Sequence, residues 1–311
     1  MHPDSKMDTN VPHVYPKLSL EERFYNLDQE EREFFKKETG IKDDEELKTH
    51  LIAVQTKAYS IYRYPCIRIF EFARLKIARQ PAYPDFLMLG RQRKRAIFLD
   101  LACCFGNDTR KAIQDGYPAE NVLAADLHAD SDFWQLGHEM FRSSQQSFPV
   151  PFLQGDILDS SFLDGVAPFT KETPPNIPVP DLSTLNSLNP LRGHLSACFT
   201  GAFFHLFDEE GQKAIAIKLA GLLSPEPGSM LFGVHGSMAE KGIWHPTGSE
   251  RYMFCHSPSS WKELWEEVFG KGNDVEVKAQ VIREIGGDDF FGMYPGNKHP
   301  YHIMQWSVTR V

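Results

Sequence analysis

Cysteine is scarce. The five that occur, Cys66, Cys103, Cys104, Cys198 and Cys255, form no CxxC pair and no Cys/His set at zinc-ligand spacing. This argues against a zinc module or a disulfide framework; no metal site is expected, and the thiols read as reduced groups of a cytosolic protein. Long hydrophobic runs are also missing. Arg or Lys interrupts even the stretch from Ile67 to Ile77, so nothing approaches the roughly 18 to 20 apolar residues that cross a bilayer. Met1 to Leu20 lacks the apolar core of a signal peptide. A soluble, cytoplasmic protein without membrane insertion is expected. Positive charge is in short supply as well: 33 Lys and Arg stand against 42 Asp and Glu, a formal net charge of -9. A nucleic-acid partner is therefore not expected, because binding a phosphate backbone needs concentrated cations. There is no internal repeat and no low-complexity tract.

What is present is a chain of 311 residues, 41% of them hydrophobic, long enough for one large domain or a core domain with an appended cap. Charged text with interspersed aromatics from Ser19 to Lys37, and an amphipathic pattern from Asp43 to Ile77, predict helices. Pro65 should kink or split the second, and the Pro81, Pro84 and Gly90 region should end it. Residues 1–95 thus read as a helical cap and linker. The period then changes. Ala96 to Leu101 is a short apolar run closing on an acid, followed by small residues, Gly106 and a helix from Asp108 to Asp115. Val122 to Asp126 predicts a second strand, Phe133 to Phe141 a helix, and Val150 to Asp156 a third strand. Six prolines between Asp164 and Arg192 predict a long surface connection, an insertion at about 160–192. Strands resume at Leu195 to Phe199 and Met230 to Val234, with helices at Glu209 to Leu223 and Ser259 to Phe269. Ser257 followed by Pro258 supplies the cap and first turn of the last helix. Asp274 to Arg283 and Ile303 to Val308 suggest an antiparallel pair at the sheet edge. The alternation predicts a doubly wound α/β domain over 96–311, joined to the cap as one compact unit.

Asp100, Asp126 and Asp156 all fall at the carboxyl ends of consecutive strands, the edge where open α/β sheets bind ligands. Between the first strand and its helix the turn reads Asp100-Leu-Ala-Cys-Cys-Phe-Gly106, with Ala102 and Gly106 small enough for close backbone approach. About 20 residues beyond the turn, Asp126 is placed to accept both hydroxyls of a ribose. Asp156 can set a carboxylate near an adenine amino group, and Ile157 an apolar wall against its ring. A dinucleotide would want G-x-G-x-x-G beside a helix amino terminus, whereas positions 102 to 107 read Ala-Cys-Cys-Phe-Gly-Asn and the helix opens near Asp108, which would meet a phosphate poorly. A zwitterionic, phosphate-free cofactor such as S-adenosylmethionine fits better. Any single βαβ unit can carry a glycine turn and a strand-end acid for structural reasons alone; three such acids in register favour a cofactor site.

The stretches Phe34 to Ile41, Val54 to Ala58, Tyr64 to Arg68, Pro81-Ala-Tyr83, Cys103-Cys-Phe-Gly-Asn-Asp108, Asp115-Gly-Tyr-Pro118, Phe133 to His138, Phe148 to Phe152 and Phe203-Phe-His-Leu-Phe207 resemble, over the full length, the fungal methyltransferases of meroterpenoid biosynthesis, of the type that makes austinol, andrastin and terretonin. The resemblance implies a class I methyltransferase fold with S-adenosylmethionine as donor. It also implies methylation of a carboxylate on a prenylated dimethylorsellinate-type intermediate, and a homodimer. The cofactor contacts it implies are Asp126-Leu127 and Asp156-Ile157. One departure stands out: where the family pattern has Gly, this sequence has Ala102, whose methyl group could crowd the methionine end of the cofactor.

Transfer from a sulfonium is an in-line displacement with an activated donor, so positioning and exclusion of water supply most of the catalysis. A carboxylate acceptor needs no base; for a phenol, His205 or His235 would be the candidate. Half-buried histidines bonded to backbone are common near strand ends, so both have a structural reading as well. Tyr59, Tyr62, Tyr64 and Arg68 offer an acceptor wall, with Arg68 able to fork onto a carboxylate; the tyrosines equally suit a helix packed on the sheet. Trp244, His245 and His256 are candidates for the opposite wall, while Trp261, Leu264 and Trp265 read as helix core. Two other functions share the fold: a cyclase or isomerase without methyl transfer, motivated by Ala102 alone, and a noncatalytic binding protein.

Overall fold

The computed structural model describes residues 17–127, 132–245, 252–270, 275–285 and 300–311. The amino-terminal text expected to be helical from Ser19 holds a single 3-10 turn, Glu22–Phe24, before helix α1 (Gln29–Thr39). Asp28 decides that start: its carboxylate accepts the Glu31 N–H while Glu31 accepts the Asp28 N–H, both at 2.9 Å, a reciprocal cap that satisfies two otherwise orphaned donors. Helix α2 (Asp44–Ile61) is capped by Asp43. Pro65 interrupts the run and opens the short α3 (Pro65–Arg68), after which the chain proceeds in 3-10 turns at Glu71–Ala73 and Ile77–Arg79. The Pro81 to Gly90 region, read as breaking a helix, instead forms one, α4 (Tyr83–Gln92). Pro84 sits in the first turn, where a missing N–H is harmless. Gly90 faces Tyr117, whose ring would lie 2.4 Å from a Cβ there, so this glycine serves close packing.

The alternation that follows is β1 (Ile97–Leu101), α5 (Asn107–Gln114), β2 (Val122–Asp126), α6 (Asp132–Met140), β3 (Phe152–Gln154), β4 (Leu195–Gly201), α7 (Glu209–Leu222), β5 (Met230–Ser237), a hairpin of β6 (Gly242–Trp244) and β7 (Met253–Cys255), α8 (Pro258–Phe269), β8 (Val275–Ile285) and β9 (Tyr301–Arg310). Seven strands form one sheet in the order β3-β2-β1-β4-β5-β9-β8. The first five run parallel, and β9 is antiparallel to both neighbours. This is the class I methyltransferase arrangement. The β6–β7 hairpin had no counterpart in the sequence reading, whereas Ser257 caps α8 as its Ser-Pro sequence suggested.

One face of the sheet packs against α7 and α8, with Trp261 and Trp265 fully buried. The insertion at about 160–192 belongs to this layer. Expected as a surface connection, it sends Phe162, Leu163, Leu182 and Leu188 into the core, because proline-rich text without helical period can still bury side chains at wide spacing. On the other side of the molecule, α1 and α2 pack onto the methyltransferase layer through Phe34, Phe35, Phe105, Phe133 and Phe141. The rings of Phe35 and Phe141 stack with centroids 5.5 Å apart, a contact contributing roughly 0.5 to 1.5 kcal/mol beyond buried area. The cap is thereby seated beside the loop that follows β1.

Candidate active site

Strand β1 lies between β2 and β4, so the chain leaves its carboxyl end where the strand order reverses and a crevice opens. Three residues at this edge hold left-handed backbone without being glycine: Ala102 (φ 60) and Cys104 (φ 51) after β1, and Ala202 (φ 56) after β4. Left-handed geometry costs an L-residue roughly 1 to 2 kcal/mol. Backbone hydrogen bonds hold the strain in place, with the Ala102 N–H donating to Ala125 O at 2.8 Å and the Ala202 N–H to Val234 O at 2.7 Å. Such strain gathers at functional sites. Gly106 (φ 72) opens α5 against Trp134, which a Cβ would meet at 2.6 Å.

The carboxylate of Asp126 fastens this loop. One oxygen accepts the Cys104 N–H at 2.9 Å and the other the Leu127 N–H at 2.7 Å, and each oxygen keeps a further lone pair. Asp156 is exposed, and its carboxylate accepts the Leu158 N–H at 2.8 Å. Beside the two acids stand exposed apolar side chains, Leu127 (55%) and Leu158 (43%). Ile157, expected as the apolar wall, is buried among Phe162 and Leu163 instead, and the exposed apolar side chain is the next one, Leu158, a displacement no alternation rule reveals in a loop. The ammonium of Lys218 on α7 holds the same loop through the carbonyls of Ile157, Leu158 and Leu163 at 2.9, 3.1 and 2.5 Å.

Asp100 does not reach the crevice surface. It is buried and accepts from Thr109 Oγ1 at 2.5 Å, tying β1 to α5. Burial pushes its carboxyl up to about 8, with the nearby Asp108 and Asp126 adding to the rise. Asp108 accepts the Ile77 N–H at 2.8 Å and is itself pushed to about 6 by burial. The donor set therefore fits a phosphate-free, positively charged adenosyl cofactor. Carboxylates and apolar side chains line the edge, and the first turn of α5 carries an acid where a phosphate would need N–H groups and cations. Among the described residues no group of three metal-ligating side chains occurs, and no helix is long and apolar enough to cross a membrane.

The remaining candidates separate. His205, in the turn after β4, is half-buried, and its Nδ1 accepts the Gly236 N–H at 3.4 Å. Burial drives its pKa down to about 4. His235, two strands' breadth from β1 on β5, is enclosed in the core. Its Nδ1 accepts from Trp306 Nε1 at 3.0 Å, and its ring lies 4.5 Å from that of Trp261. That is a correction: α8 covers His235, so it forms no acceptor wall. Trp244 is likewise buried, against Tyr301. His256 is buried with Nδ1 2.9 Å from Ser260 Oγ, while His245 is exposed.

In the cap, Tyr59 is buried in the helical layer, its hydroxyl accepting the Leu18 N–H at 3.3 Å. Tyr62 and Tyr64 are half-buried with ring centroids 4.2 Å apart, and Tyr64 lies 6.1 Å from Phe133 of α6. These two stand at the seam between the cap and α6. Arg68 is corrected. Its guanidinium is buried, pairs with Glu21 at 2.7 Å and donates to Ser19 O at 2.9 Å, so its fork already serves the amino-terminal segment. A different cation of the cap does reach the strand edge, Lys76, which no motif marks in the sequence. Its Cδ would lie 3.7 Å from a Cβ on Gly201, the last residue of β4. Only its place between two 3-10 turns, after a helix already broken by Pro65, could have drawn attention to it.

Residues 20–73 match the family model described as meroterpenoid methyltransferase N-terminal domain. Over 244 residues the chain is 32% identical to O-methyltransferase atr3 of Stereocaulon alpinum, covering 78% of this chain and 63% of that protein. It is 30% identical over 239 residues to O-methyltransferase phiE of a fungal species, covering 76% of this chain and 70% of that protein. To methyltransferase adrK of Penicillium roqueforti it is 29% identical over 269 residues, 86% of each.

Proposed function

Because the chain belongs to the fungal meroterpenoid methyltransferases, we propose that it uses S-adenosylmethionine to O-methylate the carboxylate of a small meroterpenoid intermediate of the prenylated dimethylorsellinate type. When bound, the cofactor supplies a methyl group already activated by its sulfonium. The observation that carries the reading is the strand-end edge itself: Asp126 holds the left-handed loop after β1, and Asp156 stands on the next loop, each beside an exposed leucine. Asp126 would hold the ribose hydroxyls, and Leu127, Leu158 and Asp156 the base.

His205 supports a carboxylate acceptor over a phenol. A group whose pKa lies at about 4 is a poor acceptor for a phenolic proton at neutral pH, where a phenol holds its proton to about 10. With Nδ1 accepting from Gly236, Nε2 carries the proton of the neutral ring. His205 is then a hydrogen-bond donor that orients an acceptor oxygen, and an ionised carboxylate needs nothing more. Tyr62 and Tyr64, at the seam of the cap, would cover the acceptor's apolar body and exclude water. A cytosolic homodimer is part of this reading. All five cysteines are free thiols, in keeping with a reducing compartment, and the dimer follows from the family resemblance.

The test is incubation of the full chain with methyl-labelled S-adenosylmethionine and a panel of prenylated aromatic acids. Label in an alkali-labile ester supports the reading. Label in an alkali-stable ether would move the acceptor to a hydroxyl, and no label with any acid or phenol, despite cofactor binding, would overturn methyl transfer to this class.

A further inference from the structure

A cation of the cap, Lys76, stands at the carboxyl edge of the sheet. Lys76 lies between the two 3-10 turns of the cap and is half-buried. Its stem passes over the end of β4, with Cδ 3.7 Å from the position of a Cβ on Gly201. The residue after it, Ile77, is pinned by its N–H to Asp108 on α5 at 2.8 Å. Lys76 is thus anchored where β1 and β4 part. Its charge acts electrostatically on Asp108 of α5, Cys104 of the loop after β1 and Cys66 of α3. Its ammonium donates to the backbone carbonyl of Glu71, and among the described residues it forms no ion pair, although carboxylates outnumber cations in this chain. Two of its three N–H donors remain for a ligand.

A half-buried ammonium at the ligand edge, with its stem fixed and its donors incompletely used, suits an anion of the size of a carboxylate. We propose that Lys76 is the counter-ion of a carboxylate bound in the crevice, the part that Arg68 cannot play because Glu21 occupies it. The inference rests on the methyltransferase reading above. Two carboxylates meet at such a site, that of the cofactor's methionine moiety and that of the acceptor. Both present the same chemistry to Lys76.

The test compares wild type, Lys76→Met and Lys76→Arg as full chains, each first shown by circular dichroism to melt cooperatively. In one arm calorimetry measures S-adenosylhomocysteine and its decarboxylated analogue. In the other, orsellinate and methyl orsellinate are titrated with S-adenosylhomocysteine already bound. Loss of a charge-assisted bond should weaken the carboxylate-bearing member of one pair about tenfold or more in Lys76→Met. The member lacking the carboxylate should be unaffected, and Lys76→Arg should retain most of the affinity. A selective loss in the first arm identifies the cofactor's carboxylate, and one in the second the acceptor's. Equal losses for both members of a pair, or no difference from wild type in either arm, including the case in which orsellinate binds neither protein, would overturn the proposal. Failure of wild type to bind S-adenosylhomocysteine at all would instead overturn the cofactor reading on which it rests.

Discussion

Replacing Asp126 by Asn changes one carboxylate oxygen into an amide nitrogen and leaves the size of the side chain alone. In the protein both oxygens accept backbone N–H groups, from Cys104 at 2.9 Å and Leu127 at 2.7 Å. Whichever way the amide turns, one donor faces another donor. If the Cys104 N–H loses its acceptor, a residue held at φ 51 loses the bond that offsets its left-handed strain, and the loop after β1 relaxes. A hydrogen bond to a charged group contributes about 1.5 to 3 kcal/mol. The loss of one such bond to the loop, added to the weakening of one to a ribose hydroxyl, comes to at least about 1.5 to 3 kcal/mol, or roughly 10- to 10²-fold in Kd for S-adenosylhomocysteine. The core is untouched, so Asp126→Asn should melt cooperatively, within several degrees of wild type. Isothermal titration calorimetry with S-adenosylhomocysteine reads the affinity directly. A folded Asp126→Asn or Asp126→Ala variant with a Kd within threefold of wild type would refute the reasoning, since the acid would then neither hold the loop nor meet the cofactor.

Ala102→Gly should leave the fold intact and keep or tighten S-adenosylhomocysteine binding. Relief of roughly 1 to 2 kcal/mol of left-handed strain is largely offset by the added freedom of the unfolded chain, and a sharp fall in affinity would mean that the alanine methyl is part of the site. For Asp100, a folded-state pKa raised to about 8 from the unfolded value near 4 means that the folded protein binds the extra proton between those pH values. Its contribution to stability therefore falls as pH rises through that window. Asp100→Asn keeps an acceptor for Thr109, so its melting temperature should depend less on pH between 5 and 8 than that of wild type, and an unchanged slope would show that Asp100 does not titrate there. A bound sulfonium favours ionised acids nearby, so affinity for S-adenosylmethionine should rise from pH 6 to 9 more steeply than affinity for the uncharged thioether S-adenosylhomocysteine; parallel pH profiles would remove the acids at about 6 and 8 from any interaction with the cofactor. His205→Gln should lower turnover only modestly and leave the pH–rate profile in place. A drop of roughly 10²- to 10⁴-fold with loss of an acidic limb, in a folded variant that still binds cofactor, would make His205 a general base and the acceptor a phenol.

Much of the architecture was written locally. Strands of a doubly wound sheet are short apolar runs, and β1, β2, β4 and β5 coincide with such runs; the acids that close β1, β2 and the third strand region are visible because they end them. The cap of α8 is legible in the same way, since Ser257 acts on an N–H group three residues away; the cap of α1 is not, because Asp28 lies inside the stretch whose charged and aromatic text predicts a helix from Ser19. Residues 81 to 90 misled because Pro and Gly punctuate helices on average. Here Pro84 sits at a helix start and Gly90 faces the ring of Tyr117, 27 residues on.

Thus the sequence by itself determined the alternation of the core strands and helices, the strand-end placement of the acids and the cofactor class. These depend on period, on strand ends and on the charge of a few side chains, all properties of neighbours in the chain. The tertiary structure alone decided what each candidate side chain faces. His205 and His235 look alike in the sequence, yet Trp261 and Trp306 enclose only the second. The fork of Arg68 suits a carboxylate ligand, yet Glu21, 47 residues earlier, takes it; Lys76, which no motif marks, lies against the end of β4, 125 residues later. Partners so far apart meet only when the whole sheet and cap are assembled, and a buried cation or imidazole takes its role from whichever polar group or ring that assembly brings within hydrogen-bonding distance.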